Sequence, residues 1–458
     1  MNELTDQLKE IEQQYIKKGD RKAVESVVTL DYGSGGKKTS DLISNMILPL
    51  LNCGSEHHSV LSSGTSSGSD SREGFMSDNS FSDPVKCSVT DRGIGAALCD
   101  GAVLDIPGHA CISPDRTESE QADRKNSYDR VIDRCCGQMV FSTDSFVVSP
   151  YFFPGGDIGK LSVCGTVNDI SMMGAKPAYL SLSFIIEEGL KLDELQRITA
   201  SIGRTAAEAG VRIVTGDTKV IEKGSGDGIY INTSGIGFFE NPASCCNQIE
   251  NHQLCPENIR PGDSIIVSGN IGDHGTAVML ARNPELGIYG EGIRSDCAPL
   301  HEEALALSRT LGKDLRCMRD PTRGGLGTTL NEFVEDRNDI GIELDEKSIP
   351  VSPAVRTVCE MLGLDPLYCA CEGRLIAVTA PERAEEAVKL LRKLPHGKNA
   401  AVIGRVTGGD PHSHAGTASH GHGSTASHGN CGRVVLRTPI GTGRIITKLT
   451  GSQLPRIC

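Results

Sequence analysis

The chain ends on a cysteine, in Gln453-Leu454-Pro455-Arg456-Ile457-Cys458. A terminal thiol has no following residue to crowd it. The stretch from Gly441 could carry it up to roughly 56–61 Å when fully extended. Gly441 and Gly443 loosen the root of that tether, and Pro455 stiffens its end. A terminal carboxylate raises a thiol pKa, and Arg456 partly offsets this. A reactive group on a swinging arm and a frayed end are both open readings. A prenylation box would need its Cys four residues from the end.

Two further sets of residues could do chemistry. Glycine-rich turns stand at Gly33-Ser34-Gly35-Gly36, Gly155-Gly156-Asp157-Ile158-Gly159-Lys160 and Arg323-Gly324-Gly325. Such turns let backbone N–H groups approach a phosphate, aided by a following helix N-terminus. Neither a P-loop nor a Gly-x-Gly-x-x-Gly turn is present, so a nucleotide site would be of another class. Acids read as strand-end residues form the second set: Asp100, Asp144, Asp169 and Asp217. Hard oxygen ligands on rigid elements suit Mg²⁺ bridging nucleotide phosphates. Singly each reads as a helix cap or turn residue; together, beside the glycine turns, a Mg–ATP site stands as an equal alternative to that reading. Lys219 could neutralise phosphate charge. Glu372, in Cys369-Ala370-Cys371-Glu372-Gly373-Arg374, sits at the edge of an apolar strand, where desolvation would make a carboxylate basic enough for proton transfer. Taken alone, Lys219 and Glu372 read equally as surface charges.

The elements that must position these groups alternate helix and strand. Strands are expected at 139–148, 179–186, 211–214 and 229–239, with Leu192, Leu195, Ile198 and Ile202 marking a helix that Gly210 closes. Leu42, Ile43, Met46, Ile47 and Leu50 share one helical face. The divisions are an extension at 1–30, an N-terminal nucleotide-binding domain at 31–240, a C-terminal α/β domain at 258–440 and a tail at 441–458. Low-complexity insertions are expected at about 53–90, 107–136 and 409–432, the last rich in His, Ser and Gly. A length of 458 residues allows two or three domains. The net charge of −13 argues against a nucleic-acid or anionic-membrane binder. With no signal peptide and no stretch near the roughly 18 apolar residues that cross a bilayer, a reduced cytoplasmic setting is expected. Most of the 17 Cys then serve as small buried hydrophobes. Cys135-Cys136, Cys245-Cys246 and Cys369-x-Cys371 lack zinc-site spacing.

Several segments resemble one family. The glycine turn at 33–36, Ser142-Thr143-Asp144-Ser145, the run Phe153-Pro154-Gly155-Gly156 through Val167-Asn168-Asp169, Gly216-Asp217-Thr218-Lys219, Gly272-Asp273-His274-Gly275, Asp320-Pro321-Thr322-Arg323-Gly324-Gly325 and the Pro455-Arg456-Ile457-Cys458 ending are similar to the hydrogenase maturation family HypE. The resemblance covers nearly everything from 31 to 458 outside the insertions. It implies the two-domain α/β fold of aminoimidazole ribonucleotide synthetase-like (PurM-like) proteins, dimerising through the N-terminal sheet and carrying a flexible tail. It implies ATP-dependent dehydration of a carbamoyl group on Cys458 to a thiocyanate. The family HypF would load that group, and a HypC–HypD complex would take the cyanide to the iron of a [NiFe] hydrogenase. Carried onto this chain, the resemblance gives Glu372 as base, Lys219 as assistant and His274 as a supporting group. Gly33, Gly35, Gly36, Asp144, Gly155, Gly156, Lys160, Asn168 and Asp169 would hold ATP, and Asp100, Asp144, Asp169 and Asp217 would hold Mg²⁺. Cys99 stands beside Asp100 where the wider superfamily often has an acid. Selenophosphate synthetase expects a Cys or Sec near its first glycine turn, which this chain lacks, and thiamine-phosphate kinase has no use for a terminal thiol.

Overall fold

A computed structural model describes residues 27–33, 37–52, 102–105, 138–239, 254–286, 292–408, 431–449 and 456–458. The expected N-terminal extension, most of the three insertions, and Gly35, Gly36 and Asp100 lie outside the described residues. The amphipathic run near the start forms α1 (Lys37–Leu42), a π turn (Ile43–Ile47) and α2 (Leu48–Asn52), burying Leu42, Ile47 and Leu50.

The first sheet comprises β1 (Ala102–Asp105), β2 (Gln138–Phe146), β5 (Lys176–Glu187), β6 (Arg212–Ile221) and β7 (Ile229–Phe238), in the order β1-β2-β7-β5-β6. Two-residue strands β3 (Phe152–Phe153) and β4 (Gly156–Asp157) form a small separate hairpin. Period-2 burial along β7 gives the sheet an inner and an outer face. Helix α3 (Ile158–Met172) covers the inner face and is apolar nearly all round, as a helix walled in on every side must be. It lies against the sheet, against α4 (Leu192–Glu208) and, through Met172, in the core of the second domain. Helix α4 packs Leu195, Ile198 and Ile202 inward and stops before Gly210, whose φ of +66° is a left-handed end.

The second sheet has seven strands: β8 (Ser264–Val267), β9 (Leu315–Arg319), β10 (Ile340–Asp345), β11 (Ile376–Thr379), β12 (Ala401–Gly408), β13 (Val434–Arg437) and β14 (Gly443–Ile446). Their order is β14-β13-β10-β12-β8-β11-β9. Its helices are α5 (Asp273–Arg282), α6 (His301–Leu311), α7 (Gly325–Glu332), α8 (Pro353–Leu362) and α9 (Ala384–Leu391). Both faces are covered. Ile265, Val267, Ile376 and Val378 pack with Leu326 and Leu330 of α7, while Ile266 and Ala377 pack with α6 and α9.

Two expectations change here. The strand read at 211–214 continues to Ile221, because β6 pairs in parallel with β5 beyond Ile185↔Lys219. Asp217 and Lys219 are therefore mid-strand residues. Asp169 is not at a strand end but on the last turn of α3.

Candidate functional site

The terminal tripeptide is seated in this chain's own domain junction. Val147 N–H donates to Cys458 O at 3.3 Å, and Ser149 N–H donates to Arg456 O at 3.2 Å. The two bonds continue β2 into a short antiparallel pairing with the tail. Arg282, the last residue of α5, donates Nε–H to Ser149 O at 2.5 Å and a second N–H to Arg456 O. His274, in the first turn of α5, contacts Ile457 O through Nε2 at 2.8 Å and Ser295 Oγ through Nδ1 at 2.8 Å. A carbonyl only accepts, so Nε2 carries the proton and Nδ1 accepts from the Ser295 hydroxyl. Ser295 Oγ in turn accepts from Cys297 N–H at 3.0 Å. Burial pushes the His274 pKa down, which keeps the ring neutral in this relay. Ile457 is 3 % exposed and joins the core cluster of Phe146, Val148, Phe153 and Ala277. Burying that side chain contributes about 2 kcal/mol. Arg456 pairs with Asp227 in the β6–β7 turn, and its φ of +54° makes it the one non-glycine residue with positive φ among the described residues.

This seating puts the Cys458 thiol beside Glu372. Burial raises the thiol pKa well above its ordinary value; the Glu372 and Asp144 charges and a hydrogen bond with Glu372 add to the rise, while Arg323 opposes it. The thiol is thus protonated and a poor nucleophile, which suits a carrier. Glu372 is 2 % exposed, and its Oε1 has no hydrogen-bond partner. Burial first, then Cys297 and the acids Asp320, Asp144 and Asp296, push its carboxyl well above the usual range. Asp320 is buried too, with Oδ2 unpartnered and its pKa pushed up by burial to about 6. A bond from Cys371 N–H to Pro321 O at 3.0 Å brings the two acidic segments together at the ends of neighbouring strands β9 and β11.

The backbone around Glu372 is fixed from several sides. Its N–H donates to Asp296 Oδ1 at 3.1 Å, and its carbonyl accepts from Ala298 N–H at 3.3 Å and Asn168 Nδ2 at 3.4 Å. Asn168 also accepts from Leu300 N–H at 2.8 Å. A side chain on Gly373 would place its Cβ 1.7 Å from Asp296 O, so only glycine allows this approach.

Of the residues expected from sequence, the structure gathers Cys458, Glu372, Asp144 and His274. Asn168 spends its amide on the Glu372 and Ala298 carbonyls and the Leu300 N–H, so it positions the base. Asp144 lies on the inner face, against Gly165 of α3, and Asp169 accepts from Ser142 Oγ at 2.7 Å one turn further along. Asp217 and Lys219 form an ion pair of 3.1 Å that is 59 % and 63 % exposed. They stand on the outer face: Asp144, Thr233, Leu182 and Gly216 share one row of the sheet, so Asp217 must point the other way. One chain cannot close a single metal site from Asp144, Asp169 and Asp217. Among the described residues no cluster of three or more His, Cys, Asp or Glu is poised for a metal. Asp144 and Asp169 are nevertheless hard oxygen donors of the kind Mg²⁺ takes.

Gly33, Gly155 and Gly156 each lie close against this chain's own groups. A Cβ on Gly155 would meet Ser295 N at 2.7 Å, on Gly156 the Phe153 ring at 2.9 Å, and on Gly33 Val220 N at 2.5 Å. Asp157 caps α3, accepting from Gly159 and Lys160 N–H at 2.8 and 3.0 Å. Cys369 and Cys371 are buried free thiols, Cys369 lying 3.9 Å from Cys359. Sequence reasoning missed Ser295, Arg282, Asp227 and Asp320. Asp320 had a signal, the acid that opens the Asp-Pro-Thr-Arg-Gly-Gly segment; the other three had none.

Residues 131–239 match the family described as "AIR synthase related protein, N-terminal domain" and residues 260–415 its C-terminal domain. Fold and matches together define a two-domain AIR synthase related protein. Carbamoyl dehydratase HypE of Bradyrhizobium diazoefficiens is 46 % identical over 322 residues, 70 % of this chain and 84 % of that protein. A solved hydrogenase maturation protein HypE in complex with ATP is 37 % identical with a TM-score of 0.66, covering 94 % of this chain and 99 % of that one. A HypE–HypF complex gives 41 % identity and a TM-score of 0.58 over 72 % of this chain and 98 % of that one. The chain belongs to the HypE family of hydrogenase maturation proteins, the carbamoyl dehydratases. Among the described residues no helix is long and apolar enough to cross a membrane.

Proposed function

We propose that this chain dehydrates a carbamoyl group carried on Cys458, consuming ATP and leaving a thiocyanate on the sulfur. The observation that carries the reading is the docked Cys458 thiol against a buried Glu372 whose Oε1 has no partner. An S-carbamoyl group has a poorly departing amide oxygen. Transfer of the γ-phosphoryl to that oxygen, with loss of one N–H proton, gives an O-phosphorylated imidate and ADP. Removal of the second N–H proton then forms C≡N as the C–O bond breaks and phosphate leaves. Glu372 takes a proton from the nitrogen, a role supported by its raised pKa, which makes it a stronger base than an exposed carboxylate. Arg323, whose charge already acts on the thiol, favours the anionic phosphate.

Mg²⁺ would be held by Asp144 and Asp169 together with the triphosphate, and would draw charge from the transferred group. Lys219 and Asp217 act from the outer sheet face, which pairs with a second copy in a homodimer. A HypF-type carbamoyltransferase loads the thiol when the tail is undocked, and a HypC–HypD complex accepts the cyanide for the hydrogenase iron. All of this takes place in the cytoplasm. Incubation with HypF, carbamoyl phosphate and ATP, followed by mass spectrometry of the C-terminal peptide, tests the reading. A carbamoyl adduct on Cys458 that loses one water only when ATP is present is expected. An unmodified Cys458, or an adduct indifferent to ATP, would sink it.

A further inference from the structure

The tail is held as a ligand is held. All its described seating contacts come from three residues, and most involve backbone atoms. Val147 and Ser149 N–H groups, Arg282 and His274 bind the Arg456 and Ile457 carbonyls and a terminal carboxylate oxygen of Cys458. One apolar side chain, Ile457, is buried, and one charge, Arg456, meets Asp227 at the rim. This is strand addition with one anchoring pocket, the way extended peptides are recognised by sheet edges. On the receptor side His274 is held from behind: its Nδ1 contacts Ser295 Oγ, which itself accepts from Cys297 N–H. None of these contacts needs a covalent link between Arg456 and the rest of the chain.

We propose that the groove between residues 147–149 and α5 is a peptide-binding site that accepts, in trans, a separate segment of the form Arg-Ile-Cys, such as the tail of a second copy of this chain. The proposal rests on the carrier reading above and extends it: the domain junction can receive a tail to which it is not joined. Trans occupancy competes with the chain's own tail. A short tether presents its end at an effective concentration on the order of millimolar, so a free peptide must reach that range to displace it.

The test uses the wild-type full chain and acetyl-Arg-Ile-Ser, a thiol-free copy of the tripeptide. Alkylation of Cys458 by a maleimide is followed by mass spectrometry of the C-terminal peptide as the tripeptide is titrated to about 10 mM. Displacement should expose the thiol and raise its alkylation rate saturably. The peptide acetyl-Arg-Asp-Ser should need at least about tenfold more, because it has no apolar side chain to bury where Ile457 sits. Asp227→Lys, a surface change, should weaken acetyl-Arg-Ile-Ser about threefold and favour acetyl-Glu-Ile-Ser. Binding is also read directly, by calorimetry on the full-length Ile457→Asp chain, whose own tail cannot seat. An unchanged alkylation rate with no calorimetric binding, or equal action of acetyl-Arg-Ile-Ser and acetyl-Arg-Asp-Ser, would overturn the proposal. Neither measurement needs ATP or a carbamoyl group, so failure here leaves the dehydratase reading standing. Absence of thiocyanate in the earlier experiment would remove that reading by itself.

Discussion

At the scale of single residues, the site turns on carboxylates that burial has made basic. If Glu372 takes the imidate proton, Glu372→Gln keeps shape and burial but removes the base. The carbamoylated tail should then accumulate with Mg–ATP, and turnover should fall by about a hundredfold or more. Full conversion to thiocyanate by intact-mass analysis would remove Glu372 from that role. Asp320 makes a separate prediction about stability. Its pKa is raised by burial from an ordinary 3.8 to about 6, so between those values the folded chain binds more protons than the unfolded one. Stability falls as pH rises through that window, and the penalty is complete above about 6. Asp320→Asn should therefore stabilise the chain at pH 8 by on the order of 1–3 kcal/mol and have little effect near pH 4. Thermal melts at the two pH values check the sign. Glu372 and Cys458 were legible in the sequence because an acid beside an apolar strand and a terminal thiol are local features. Ser295 and Asp227 were not, because each reaches the tail site through a partner 21 residues from it or more, Ser295 through His274 and Asp227 through Arg456.

At the scale of elements, register decides which residues can cooperate. Alternation predicted the strands at 179–186 and 229–239 and the helix that Gly210 ends, because each pattern fits one period over many residues. The sheet face of Asp217 was not legible. A parallel pairing extends β6 past the point where its apolar run stops, and a sheet face is known only once neighbouring strands are aligned. The glycines have a packing role that the sequence did not reveal. Gly33, Gly155 and Gly156 permit backbone approach, but the approaching group is this chain itself. Gly373 sharpens the same point beside the candidate base. With a Cβ placed 1.7 Å from Asp296 O, Gly373→Ala must push apart the two segments that hold Glu372. It should cost about 3 kcal/mol or more and lower activity beyond the loss of folded protein. Unchanged melting and unchanged turnover per folded molecule would mean that the segment yields freely.

At the scale of the molecule, the two faces of the first sheet have divided labour. The inner face meets α3 and the junction where the tail docks. The outer face carries Leu104, Phe141, Tyr179 and Ile185, which are 37–44 % exposed, together with Asp217 and Lys219. Large apolar side chains sharing one sheet face fit the homodimer interface proposed above. A symmetric dimer uses the same patch from both copies, so one residue change acts twice at such an interface. Ile185 sits on β5 beside Lys219 and is 44 % exposed in the single chain, so replacing it leaves the core untouched. Ile185→Asp places two like charges in the proposed interface and should convert a dimer into monomers, as light scattering would read. The monomer's own stability should change by no more than about 0.5 kcal/mol. If Lys219 and Asp217 act only when a second copy covers this face, the monomeric variant should also lose dehydration while keeping its docked tail. An Ile185→Asp chain that remains dimeric would place the interface elsewhere. One that is monomeric and fully active would leave Lys219 without a part in the chemistry.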